Sequence, residues 1–308
     1  MIRRIGWFII TNFLVLITIG VLIRLFGIDV YAAKNGTDYQ SLLILSAIFG
    51  FSGALVSLFL SKEIAKMSTG AKVIHSAQTQ EEAWLLQTVE ELAAKAEVQM
   101  PEVAVYEGAP NAFATGATKN GALVAVSTGL LQSMTRPQIK AVLAHEMSHV
   151  VNGDMVTMTL LQGVLNTFVF FFARVAAIFL QKRSRKGKAP RLNGFEYYMT
   201  VQVFEFVFGI LASIAACAFS RKREFRADEG AAGLLGSPDA MIEALKVLGG
   251  TDVTPLPSEV KAFGITDLPS VLSLFSTHPP ISQRIKALSS LKPPSGKGFG
   301  GLFKNVRG

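Results

Sequence analysis

The first sixty residues carry two apolar runs, Ile5 to Phe26 and Tyr39 to Leu60. Each holds roughly 20 residues with few charges, the length a helix needs to cross a bilayer core. The short loop between them, with Asp29, Lys34 and Asp38, is close to neutral. Arg3 and Arg4 precede the first run, and Lys62, Lys66 and Lys72 follow the second. This charge distribution predicts a helical hairpin with both ends in the cytoplasm. The basic start has the look of a signal peptide, but the run is long for one and no small-x-small cleavage site follows. A retained anchor is therefore expected.

From residue 61 to 154 the pattern turns polar and mixed. Thr79-Gln-Glu-Glu82 opens a helix with a capping box, and Leu85, Val89, Leu92 and Ala96 mark its apolar face. Glu102 to Tyr106 reads as a strand. Asn111 to Ala117 and Ala122 to Ser127 read as two more, turning through Lys119-Asn120-Gly121. Thr135, with Gln138 three residues on, caps the helix RPQIKAVLAHEMSHVVNGD, in which Ile139, Val142, Leu143 and Val150 form the buried face.

A second apolar block runs from Met155 to Leu180 and from Phe195 to Phe219, with six basic residues between Lys182 and Arg191. Asn166, Arg174 and Glu205 lie inside it, and a charge at bilayer depth faces protein or water. If both helices crossed, the basic loop would fall on the far side, against the positive-inside rule. Two membrane-associated helices are expected, with full spanning left open. Polar patterning resumes at Ser220. Ser237-Pro238 begins a helix, MIEALKVL, that ends at Gly249-Gly250, and ISQRIKALSSL forms the last one before a Gly- and Lys-rich tail expected to be disordered. The organisation is thus a hairpin (1–60), a first catalytic part (61–154), a second hydrophobic hairpin (155–220), and a second catalytic part with the tail (221–308).

Composition supports a lipid environment. Of 308 residues, 50% are hydrophobic and 17% charged, against about 25% charged in soluble proteins, and the mean hydropathy is +0.40. The net charge of +8 sits mainly beside apolar runs, which favours a lipid bilayer surface as partner and argues against nucleic acid. The single cysteine, Cys217, excludes an intramolecular disulfide.

The chemistry centres on His145-Glu-Met-Ser-His149. Spacing of four on a helix places both imidazoles on one face, able to reach one Zn2+ ion, with Glu146 beside them as a general base for a water attacking an amide carbonyl. A catalytic zinc site has three protein ligands and one open position; His75, His278 and the downstream acids are the candidates for the third. Glu224 and Asp228, four apart, can both point at this helix, one as ligand and the other as hydrogen-bond partner of a ligand histidine. The same pattern also suits a charged surface helix. His75 has no motif around it and reads as structural or surface.

HEMSH, then SRKREFRADEGAA about 75 residues later with an apolar hairpin between, resembles the HtpX family of membrane zinc metalloproteases, related to the CAAX prenyl proteases. NAFATG, STGLL and the terminal HPPISQRI extend the resemblance over nearly the whole chain. It implies an α+β, predominantly helical integral membrane protein with a zincin-like catalytic domain and one zinc per chain. It implies Glu224 as third ligand, within an ExxxD pattern completed by Asp228. It also implies a cytoplasm-facing site in the bacterial inner membrane, membrane-protein substrates, a stress-response role in quality control and partners in it. Asn111, Ala112, Phe113, Ala114, Thr115 and Gly116 have the alternating small residues of an edge strand that pairs with substrate; an internal strand fits the pattern too, and the resemblance favours substrate binding. His278 and Arg284 flank a Pro-Pro turn, and related proteases hold this pair near the metal, where donors stabilise an oxyanion. Alternatives for His278 are transient zinc binding, which would block the water site, and helix capping. Competing readings are an intramembrane protease, a prenyl-protein protease, and a membrane-anchored zinc-binding holdase without proteolysis.

Overall fold

In the computed structural model the residues described are 38–186, 194–251 and 276–291. The first apolar run, most of the basic loop before Gly194, and the tail from Lys292 lie outside them. In chain order the elements are α1 (Tyr39–Thr69), β1 (Lys72–Val73), α2 (Gln80–Ala96), β2 (Glu102–Tyr106), β3 (Ala112–Thr115), β4 (Leu123–Ser127), α3 (Thr128–Ser133), α4 (Arg136–Asn152), α5 (Asp154–Lys186), α6 (Gly194–Leu235), α7 (Asp239–Thr251) and α8 (Ile281–Ser289). The chain divides into two units, Met1–Val56 with Thr159–Ala215, and Ser57–Met158 with Ala216–Gly308.

The first unit is helical. α1, α5 and α6 are each long and apolar enough to cross a membrane, so length and composition allow both helices of the second apolar block to span. Their large apolar side chains point outward: Phe49 is 65% and Phe206 72% exposed, which suits contact with lipid rather than water. Between helices the packing relies on small residues, as it does in bilayers. A Cβ on Gly163 would lie 2.7 Å from the Phe51 ring. Arg174 and Glu205 face each other across α5 and α6 at 2.8 Å, and Gln202 donates to the second carboxylate oxygen at 3.2 Å. The two charges inside the apolar block thus neutralise one another.

The second unit is built on a four-stranded sheet in the order β1-β2-β4-β3. β2 and β4 run parallel, and β3 and β4 are antiparallel with Ala112 opposite Val126 and Thr115 opposite Leu123. The expected turn between β3 and β4 is a short 3₁₀ segment, Lys119–Gly121. Gly116, at φ +137°, ends β3 where a Cβ would lie 2.7 Å from the Gly121 carbonyl oxygen. β3 is an edge strand, which removes the internal-strand alternative. α3 covers the end of β4, with Ser127 accepting from the Leu130 N–H at 3.1 Å.

α2 starts where its sequence signal lies. Thr79 accepts from the Glu82 N–H at 3.1 Å, but Glu82 reaches back to the Gln78 N–H at 2.6 Å rather than to Thr79. α7 runs on to Thr251, through the glycines expected to end it. Side chains from α2, β2, β4, α4, the end of α6, α7 and α8 form one core with Leu85, Leu92, Val124, Leu143, Met147, Leu234, Leu245 and Leu288.

α4 lies in that core, and between Ala141 and Asn152 only Glu146 escapes burial. α6 reaches it through small residues. Ala227 and Ala231 are fully buried, and a Cβ on Gly230 would lie 2.7 Å from Ser148 Oγ and 3.0 Å from its Cβ. Gly230→Val should therefore force α6 away from α4 and lower stability by about 1–3 kcal/mol. Thermal unfolding in detergent checks this; an unchanged midpoint would show that the helices tolerate separation.

Candidate metal centre

Two breaks in the helical pattern position the site. Thr135 N–H donates to Gln138 Oε1 at 2.9 Å at the start of α4. At its end Gly153 adopts φ 64° and its N–H bonds to the carbonyls of His149 and Val150, so the helix is broken there and α5 begins at once with Asp154. That turn brings Asp154 back against the helix, its Oδ2 2.6 Å from His149 Nδ1. Glu224 and Asp228 come from α6, which is continuous for 42 residues. The apolar run and the acidic motif thus lie on one continuous helix.

The buried residues His145, His149 and Glu224 converge. His145 Nε2 and His149 Nε2 are 3.2 Å apart. Glu224 Oε2 lies 3.3 Å from His145 Nε2, and Glu224 Oε1 lies 3.3 Å from His149 Nε2. A tetrahedral ion about 2.0–2.1 Å from each donor needs donors roughly 3.3 Å apart. The three edges match, and these residues form a candidate metal-ion group by the distances among their ligand atoms. The charge balance agrees: Asp228 has Arg284 and Asp154 has Arg223, whereas Glu224 is surrounded mainly by imidazoles.

The partners of the imidazoles are equally specific. Asp228 Oδ1 lies 3.0 Å from His145 Nδ1. Arg284 holds that carboxylate with two prongs, Nε to Oδ2 at 2.8 Å and Nη2 to Oδ1 at 2.6 Å. Arg284 is 6% exposed, and its Nη1 stands 3.5 Å from Glu224 Oε2. The expected role is an oxyanion donor; in the structure two of the guanidinium nitrogens are engaged by Asp228 and the third faces Glu224. His278 places Nδ1 2.8 Å from Glu224 Oε2, with its side chain 63% exposed. It therefore contacts the site while facing solvent, and among the described residues the helix that follows it has Pro280 at its N-cap with no side-chain cap.

The sequence reading brings His145, Glu146, His149, Glu224, Asp228, His278 and Arg284 to one place. His75 is exposed. The Asn111–Gly116 segment supplies β3, which packs on α4. Two residues were missed, Asp154 and Arg223. The only signal in the sequence is an acid directly after Asn152-Gly153, where the pattern of the motif helix continues.

Burial pushes both imidazoles toward neutrality, but their carboxylate contacts outweigh it. Hydrogen bonds to Asp228 and Glu224 raise the His145 pKa, and those to Asp154 and Glu224 raise that of His149 to about 10. A metal needs neutral imidazoles and must displace these protons.

A buried cluster of this geometry on a scaffold of apolar helices defines a membrane metallopeptidase. The profile of peptidase family M48 matches residues 79–292, a span that takes in the whole cluster, and the chain belongs to that family. It is 52% identical over 290 residues to the protease HtpX homolog of Janthinobacterium sp. (strain Marseille), covering 94% of this chain and 100% of that one. The values are 52% over 292 residues for the homolog of Herminiimonas arsenicoxydans and 51% over 294 for that of Chlorobium luteolum, each again covering 94% of this chain and 100% of the relative. The crystal structure of S. mikatae Ste24p is similar in fold, with a TM-score of 0.60 at 18% identity, covering 91% of this chain and 66% of that one.

Two outcomes follow. Glu224→Ala should lower metal occupancy well below that of the unaltered protein, and full occupancy in elemental analysis would remove Glu224 from the ligand set. Metal uptake near pH 7 should release protons, and affinity should rise with pH toward about 10 as His149 loses its proton. Calorimetry in buffers of different ionisation enthalpy reads both.

Proposed function

We propose that the chain is a zinc-dependent endopeptidase of the bacterial inner membrane, with its site facing the cytoplasm, that cuts misfolded or damaged membrane proteins. The observation that carries the reading is the 3.2–3.3 Å triangle of His145, His149 and Glu224, with Glu146 the only residue of that stretch of α4 open to solvent. Two nitrogens and one carboxylate oxygen are the donor set of catalytic zinc, and leave a position free for water or substrate. When bound, the ion acts as a Lewis acid on the substrate carbonyl and makes water a better nucleophile.

The chain's residues do the rest. Glu146, partly exposed beside the two ligands, takes the proton of the attacking water and can return it to the leaving amine. His278, exposed on the other side of Glu224, is available to donate to the developing oxyanion. Arg284 acts through Asp228, holding the tautomer and orientation of His145. β3, an edge strand against the motif helix, offers its free edge from Ala112 to Thr115 to an extended substrate.

Position along the chain supports membrane-protein substrates. Glu224 follows Phe219, the end of the apolar run, by five residues, about 8 Å of helix rise. His149 precedes Met155, where the other run begins, by six. A segment emerging from lipid is therefore within reach of these donors. Lys62 and Lys66, which pair with Glu102, contribute to the positive-inside pattern that supports a cytoplasmic orientation.

A zinc-binding holdase is the competing reading, and Glu146 separates the two. Glu146→Gln in the full chain, purified in detergent, should keep its zinc and lose cleavage of an unfolded membrane substrate by at least about 10²-fold. Unchanged cleavage would sink the mechanism. Proteolysis absent from the unaltered protein with zinc bound would favour the holdase.

A further inference from the structure

Each imidazole has a carboxylate at its Nδ1, and each carboxylate has an arginine beside it. His145 Nδ1 meets Asp228, which Arg284 grips. His149 Nδ1 meets Asp154 Oδ2 at 2.6 Å. Asp154 is 3% exposed. Arg223 approaches it twice: Nη1 donates to the Asp154 carbonyl oxygen at 3.0 Å, and Nε lies 3.7 Å from Oδ2. Arg223 immediately precedes Glu224, so the guanidinium and the third donor leave α6 from adjacent positions.

Resting on the reading of the site as a metal centre, we propose that Asp154 and Arg223 form a second carboxylate–arginine arm that positions His149. A carboxylate accepting from Nδ1–H fixes the tautomer in which Nε2 carries a lone pair, and it raises the basicity of that nitrogen. The arm has a further consequence. Asp154 is the first residue of α5, and Arg223 sits in α6 four residues beyond Phe219. The carboxylate that meets His149 therefore stands at the start of α5, and the arginine beside it on the polar stretch of α6 that follows the apolar run. Asp154 and Arg223 thus tie the site to α5 and α6, whereas the Asp228–Arg284 arm ties it to α8.

The test reads metal binding rather than proteolysis. In full-length protein carrying Glu146→Gln, so that self-cleavage cannot confuse the result, zinc affinity is measured by chelator competition. Asp154→Ala and the near-isosteric Asp154→Asn should weaken zinc by about 10- to 100-fold. The melting temperature of the metal-free protein should change little in Asp154→Asn. Arg223→Gln should give a smaller loss of the same sign, and combined with Asp154→Ala it should add little, because it acts through the same carboxylate. In the cobalt-substituted protein, the visible bands should shift in Asp154→Asn and stay put in a control such as Lys246→Gln, which lies on α7. Wild-type affinity and unshifted bands in both Asp154 variants would overturn the positioning role while leaving the peptidase reading intact. Failure of the unaltered chain to bind zinc at all would overturn both.

Discussion

Everything about this site depends on burying Glu224 against two imidazoles. A carboxylate removed from water costs several kcal/mol unless it is matched by charge and hydrogen bonds. Here it is matched at 3.3 Å by His145 and His149 and at 2.8 Å by His278. That match exists only because α6 lies almost in contact with α4. Ala227, Gly230 and Ala231 supply the approach, and Ser148 occupies the space a side chain at 230 would need. Residues without chemistry of their own thus decide whether the residues with chemistry can meet.

The second constraint is what lies behind the donors. An imidazole ligand is useful in one tautomer, and each histidine has a carboxylate at its far nitrogen to select it. Each of those buried carboxylates has an arginine near it as well, at 2.6 Å for Asp228 and 3.7 Å for Asp154. The polar network therefore extends outward in layers, donor, acid, arginine, and each layer is drawn from a different part of the chain. Residues separated by 139 positions, His145 and Arg284, stand 3.4 Å apart as a result. Such layering explains why an arginine expected at the reacting carbonyl is instead committed to Asp228.

Much of this was legible from sequence because its signals are local. The motif helix, its capping residues, β2 and the β3–β4 pair follow from periodicity and turn residues within windows of about ten positions. The His–Glu–His spacing states its own geometry. Glu224 was also findable, though only as one of several candidates until the family resemblance singled it out. Asp154 was not. Its partner is five residues away, but the contact depends on Gly153 turning the chain at φ 64°, and an acid after a glycine looks the same whether it turns inward or outward. Arg174 and Glu205 illustrate the same limit: each is an anomaly alone, and only the pairing of α5 with α6 makes them complementary.

Continuity of α6 is the feature with the widest consequence. Sequence patterning separates an apolar hairpin from a soluble domain at Ser220, as though a linker lay there, yet the helix runs unbroken from Gly194 to Leu235. Glu224, Asp228 and Arg223 therefore lie on the same helix as the apolar stretch, with no linker between them. α5 adds to this, since it starts at Asp154 with only Gly153 between it and the motif helix. A soluble zincin can place its third donor on any helix the core supports. In this chain Glu224 and both residues of the proposed Asp154 arm lie within five residues of an apolar run, so the polar cluster and the apolar runs are contiguous in sequence.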